Sequence, residues 1–67
     1  MINVFLNNKS LSIETESSLY DFLMRNKQLR DYMAVTVNNT LVARRDFNST
    51  FLKANDCVDI LIPMQGG

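Results

Sequence analysis

One segment of this chain carries the periodicity of a helix, and segments with the periodicity of strands flank it on both sides. Leu19, Phe22 and Leu23 fall at i, i+3 and i+4 and build a single apolar stripe, while Asp21 and Arg25 point away from it. Ser18 with Asp21 three positions on resembles a capping box, and the acidic member suits the positive pole of the helix dipole. The spacing predicts a helix over residues 18–27, its end made basic by Arg25 and Lys27, with Asn26 at the left-handed exit.

Ahead of that helix, Ile2-Asn3-Val4-Phe5-Leu6-Asn7 alternates with period two and places Ile2, Val4 and Leu6 on one face. Asn7-Asn8-Lys9 then offers residues that tolerate the left-handed backbone of a tight hairpin, and Leu11 and Ile13 resume the alternation. Behind the helix, a connection containing Leu29 and Asp31 leads to Met33-Ala34-Val35-Thr36-Val37, a β-branched strand with Met33, Val35 and Val37 inward. Asn38-Asn39 turns into a short strand, Thr40-Leu41-Val42, and the polar stretch 44–49 carries Phe47 as an isolated anchor. Asn55-Asp56 makes a last turn before residues 57–62, where Val58, Ile60 and Ile62 form the inner face and Pro63 ends the strand.

The order is therefore ββαβββ, an α+β chain in which one helix needs a sheet face to cover. The final strand is the most continuously apolar and belongs in the sheet interior beside the first. A mixed sheet of four or five strands packed on one main helix, the β-grasp (ubiquitin-like) arrangement, is the expected fold.

At 67 residues the chain has room for one small domain. A domain of that size buries only about 60% of the surface its unfolded chain exposes, so its core must pack efficiently. Covalent help is absent: Cys57 has no internal partner, and without histidine a Cys/His zinc site is excluded. Seven basic and seven acidic residues balance, which leaves no average field for nucleic acid. Arg25, Lys27 and Arg30, and the adjacent Arg44 and Arg45, read as a solvated face near a helix end. Beyond residue 53 the charged side chains are Asp56 and Asp59, so a partner gripping this end is expected to be basic. No basic segment leads into an apolar run at the start, and no apolar run is long enough for a membrane span, so the expected location is cytoplasmic, away from membranes.

Both glycines of the chain occupy its last two positions, after Pro63, Met64 and Gln65. A flexible tail over 63–67, ending in residues without Cβ, suits a narrow channel and presents the α-carboxylate of Gly67 as the reactive group. Five residues reach roughly 17 Å, enough to enter another protein's active site while the domain stays outside. Side-chain chemistry is poorly represented elsewhere. Cys57 opens a strand, has no histidine to activate it, and lies beside Asp56 and Asp59, which disfavour a thiolate. Those two carboxylates fall on opposite sides of a turn and strand edge and make no acid/base pair. Met24, Met33 and Met64 read as packing residues, Met64 also as a contact near the tail.

In order and spacing these features resemble the sulfur carrier protein family of thiamine biosynthesis (ThiS). The likeness spans essentially the whole chain: the opening strand and Asn turn, Leu19 and Leu23, Val35-Thr36-Val37-Asn38-Asn39 followed by Leu41-Val42, Arg44, Leu52, Asp56-Cys57-Val58-Asp59-Ile60, and Gly66-Gly67. This chain departs from the family's habits at Asn38-Asn39, where Asn-Gly is frequent, at Ala43 for Pro, at Phe47 near a usual aromatic such as Trp, and at Asn55-Asp56 for Gly-Asp. The resemblance implies that Gly67 is adenylated with ATP by a ubiquitin-activating-like adenylyltransferase (ThiF-like). A cysteine desulfurase relay then supplies sulfur to make a C-terminal thiocarboxylate (1-thioglycine), which thiazole synthase (ThiG-like) uses. It implies tail recognition through Met64, Gln65 and Gly66, no bound cofactor, no metal and no catalytic residue, so that the chain is a substrate of enzymes and not itself one. The small subunit of molybdopterin synthase, with the same fold and Gly-Gly end, and a non-catalytic β-grasp binding module are the competing readings.

Overall fold

The computed structural model describes residues 1–62. Two hairpins, each turned by a pair of asparagines, supply four of its five strands. Strand β1 (Ile2–Leu6) pairs antiparallel with β2 (Lys9–Ile13), Leu6 opposite Lys9 and Ile2 opposite Ile13. Strand β3 (Ala34–Val37) pairs antiparallel with β4 (Thr40–Val42), Val37 opposite Thr40. Each turn is thus two residues long, and Asn7, Asn8, Asn38 and Asn39 all have positive φ, between 47° and 72°. That is the geometry of a type I′ turn, whose twist matches that of the flanking strands. Asparagine tolerates it where a branched side chain does not.

Helix α1 (Leu19–Arg25) is shorter at both ends than its periodicity predicts. Ser18 is its N-cap, and its hydroxyl accepts the Asp21 N–H at 3.1 Å. At the other end, Gln28 N–H donates to Leu23 O (2.8 Å) and Lys27 N–H to Met24 O (3.1 Å), the two bonds of a Schellman motif. The left-handed residue is Lys27, at φ 57°, and not Asn26 as its residue type suggested. Asn26 instead keeps near-helical backbone, and its side-chain amide donates to Phe22 O at 2.8 Å. That carbonyl also accepts the Asn26 N–H at 3.2 Å, so Asn26 closes the last turn twice while the next residue makes the reversal.

Strand β5 (Cys57–Leu61) lies between the hairpins in the order β2-β1-β5-β3-β4. It runs parallel to β1, with Phe5 opposite Cys57 and Leu6 opposite Val58, and antiparallel to β3, with Ala34 opposite Leu61. The apolar stripe of α1 (Leu19, Phe22, Leu23) joins Val4, Val35, Val58 and Ile60 from the sheet in one buried cluster, completed by Phe47 and Leu52. This is the β-grasp arrangement, with the last strand beside the first.

Three local expectations change. Met33 precedes β3 instead of opening it, although it still packs on the core, and its sulfur accepts the Arg30 N–H at 3.2 Å. The stretch Arg44–Ser49 is a 3₁₀ helix and not a plain loop, which is how Phe47 is driven inward to 1% exposure. Ile62 has no inner face to occupy. Pairing with β3 stops at Leu61 and β1 ends at Leu6, so Ile62 lies past the sheet and is half exposed.

Candidate functional site

The residues expected to carry the chemistry, Met64, Gln65, Gly66 and Gly67, lie with Pro63 outside the described residues. The structure gives their platform, the end of β5. As the central strand β5 is gripped from both flanks, and much of the grip comes from the two turn asparagines. Asn38 N–H donates to Cys57 O (2.7 Å), its Oδ1 accepts Cys57 N–H (2.9 Å), and its Nδ2 donates to Asp56 Oδ1 (2.9 Å). On the other side Asn7 N–H donates to Val58 O, and Asn7 Oδ1 accepts Ile60 N–H, both at 2.9 Å. The Asn7 side chain thus prolongs the parallel ladder after β1 has ended. β5 is fixed along almost its whole length, and the chain leaves it at a defined point.

The two positions of each turn consequently differ. Asn38→Gly removes two side-chain hydrogen bonds and is expected to lower stability by about 1–2 kcal/mol net of the relieved backbone. Asn39→Gly, with no such bonds, is expected to be neutral or to stabilise by less than about 1 kcal/mol. Urea midpoints of the two variants measure the difference. Equal midpoints would show that the turn asparagines act through backbone geometry alone.

Asp56 is tied down in the same region. Besides Asn38, its carboxylate accepts the Lys53 N–H at 2.8 Å, closing the turn in which Asn55 has φ 70°. That turn is at the start of β5, the far end from Ile62. Asp59 is half-buried in mid-strand opposite Thr36. Of the two carboxylates expected to make the tail region acidic, Asp56 is thus spent on turn closure at the other end of β5, while Asp59 stands two residues before Leu61 on the same strand face. Cys57 is exposed, and its Sγ has a single weak contact, to Asn55 O at 3.9 Å. No basic side chain shares a hydrogen bond with that thiol among the described residues.

Elsewhere on the described body, a cleft between β2 and α1 is lined by Met1, Leu11, Ile13, Phe22 and Arg25, with Arg25 drawn to Glu14 at 3.8 Å. Because Ile2 pairs with Ile13, this cleft lies at the opposite end of β1 from the turn near Ile62. Among the described residues no cluster of three or more metal-ligating side chains occurs, and no helix is long and apolar enough to cross a membrane.

Sequence reasoning missed two features of the platform. Leu61 and Ile62 are 63% and 50% exposed, two large apolar side chains adjacent at the point where the chain leaves the sheet. Alternation put Ile62 inside because it counts residues along one strand and carries no information on where the neighbouring strands stop. The role of Asn7 and Asn38 as clamps was equally hidden, since turn propensity explains their presence without it.

A search of curated proteins returns no match. Solved structures do. The chain is 26% identical to the crystal structure of a thiamine biosynthesis protein (ThiS) from Geobacter metallireducens, with a TM-score of 0.86, covering 98% of this chain and 100% of that one. It superposes on an NMR solution structure of a thiamine biosynthesis protein from Geobacter metallireducens at a TM-score of 0.77 and 26% identity, covering 98% and 88%. The model of the ThiS family matches residues 3–67, nearly the whole sequence. With sheet order, helix position and family match in agreement, this chain belongs to the ThiS family.

Proposed function

We propose that this protein is a sulfur carrier for thiazole formation in thiamine biosynthesis, with Gly67 as the residue that bears the sulfur. The observation that carries this reading is that the family match extends to residue 67 and so includes Gly66 and Gly67. The platform supports it: β5 is held by β3 up to Leu61 and on its other side by β1 and the Asn7 side chain as far as Ile60, and the five residues after Ile62 span roughly 17 Å when extended.

A carboxylate is a poor electrophile because its two oxygens share the negative charge. Attack of the Gly67 carboxylate on the α-phosphorus of ATP, within a ThiF-like adenylyltransferase, expels pyrophosphate and leaves an acyl-adenylate. The terminal sulfur of a persulfide, delivered by a cysteine desulfurase relay, then adds to the acyl carbon, and AMP leaves with the electron pair of the broken C–O bond. A thiol reductant cleaves the S–S bond of the resulting acyl disulfide and releases the thiocarboxylate, the form that a ThiG-like thiazole synthase consumes. None of these steps calls on a side chain of the carrier. Glycine at both terminal positions leaves the approach to the carbonyl unobstructed, which a Cβ would narrow.

ATP–pyrophosphate exchange catalysed by the cognate adenylyltransferase tests the first step. Exchange is expected to require this protein and to saturate with its concentration. If exchange proceeds equally without it, or not at all in its presence, the carrier reading is wrong, and a binding role independent of the tail takes its place.

A further inference from the structure

Within a formal charge of zero, three arginines are grouped by the fold. Because Ala34 pairs with Leu61, the segment before β3 lies at the end of the sheet where β5 finishes. Because Val35 pairs with Val42, the residues after β4 lie at that end too. A side-chain contact joins the two segments: Arg44 Nη1 donates to the Arg30 carbonyl and, at 3.5 Å, to that of Asp31. Arg30, Arg44 and Arg45, all exposed, are thereby gathered at the end of the sheet where β5 finishes, with the carboxylates of Asp31 and Asp46 on the same segments and of Asp59 two residues before Leu61. The opposite end of the sheet holds Glu14, with Arg25 drawn to it at 3.8 Å, and Asp56, with Lys53. Apolar surface accompanies the arginines, since Tyr32, two residues before Ala34, is 75% exposed, and Leu61, opposite Ala34, and Ile62 are exposed as well.

We propose that Arg30, Arg44 and Arg45, with Tyr32, Leu61 and Ile62, form a collar around the root of the tail that docks a protein surface of complementary chemistry, an apolar floor with an acidic rim. The occupant is the adenylating enzyme, so the proposal rests on the sulfur-carrier reading. Two observations select it. Five further residues begin at this collar, so an enzyme that takes them in along their full length meets it. Among the described residues the exposed guanidinium groups there bond carbonyls at most and no carboxylate, so they call for carboxylates on that partner, whereas the charges of residues 54–67 read along the chain suggest a basic one. Apolar and aromatic side chains supply contact area, and the arginines speed encounter and set orientation. Arg44 has the additional task of fixing the loop that carries Tyr32, through the carbonyls it binds.

Arg45 and Arg30 are the residues to test, because Arg45 makes no side-chain hydrogen bond among the described residues and Arg30 contacts only carbonyls of its own loop. Binding of the full chain to the adenylyltransferase is measured by calorimetry at low and high salt, beside ATP–pyrophosphate exchange, for wild type, Arg45→Glu, Arg30→Glu/Arg45→Glu and the far-end control Lys53→Glu. Wild-type affinity is expected to fall with salt, and the double variant to bind about tenfold or more weakly at low salt. In exchange, KM rises while kcat holds, and Lys53→Glu and the thermal midpoints stay at wild-type values. A double variant that folds and binds like wild type overturns the collar while leaving the carrier reading intact. Salt-sensitive, Arg45-dependent binding without any exchange supports the collar and overturns the carrier reading. No binding by wild type overturns both.

Discussion

Phe22→Ala is expected to cost about 3–5 kcal/mol, as much as an entire domain of this size has to lose, about 3–10 kcal/mol. The reason is position. Phe22 is 1% exposed and is among the largest fully buried side chains, on the face of α1 that also contributes Leu19 and Leu23 to the core. Its removal leaves a void in a cluster of nine buried residues that has no disulfide or zinc site behind it. Urea unfolding followed by circular dichroism measures the effect, with Leu41→Ala as the comparison because that side chain is 69% exposed. Leu41→Ala is expected to stay within about 0.5 kcal/mol of wild type. A Phe22→Ala protein with an unchanged midpoint would mean that the helix is not held by this contact.

Deleting Gly67 is expected to act in the opposite way, abolishing sulfur loading without touching the fold. Among the described residues, 1–62, a core of nine buried residues and five paired strands already make up the fold. The truncated chain is therefore expected to melt at the wild-type temperature. Its new terminal carboxylate, on Gly66, falls short of the full reach by one residue, about 3.3–3.6 Å. Since reacting atoms must approach within about 3–3.5 Å, a shift of that size removes productive geometry altogether. Retained exchange activity in the truncated protein would show that the enzyme does not measure the length of the tail.

Much of this fold was legible in the sequence because local and global signals agree. The change of period at Ser18, the two asparagine pairs and the apolar run from Cys57 onward each point to the elements found, and their order leaves β-grasp as the economical packing. What was not legible depends on neighbours. Ile62 continues the alternation of β5 perfectly, yet its burial was decided by where β3 and β1 end. The 3₁₀ helix over Arg44–Ser49 was hidden because its polar residues carry no period, and only Phe47 betrays that the segment turns inward. Lys27 takes the left-handed position although Asn26 is the better residue for it, since both the backbone N–H and the side-chain amide of Asn26 bond Phe22 O and keep it in the last turn.

The candidate site divides in the same manner. Gly66 and Gly67 announce themselves by composition, since the rest of the chain contains no glycine at all. The surroundings of the tail did not, for charge read along the chain placed acid near it. Folding brings Arg30 and Arg44, fourteen positions apart, into contact at the same end of the sheet. Proximity of that kind follows from strand register and has no trace in the linear order.

Mass spectrometry of the intact chain, after incubation with ATP, the adenylyltransferase, a persulfide donor and a thiol reductant, reaches the proposed chemistry most directly. The expected product has one oxygen replaced by sulfur, and only fragments that include Gly67 carry the change. An unchanged mass, or sulfur on fragments that contain Cys57 and lack Gly67, would contradict the assignment of the chemistry to the terminal glycine.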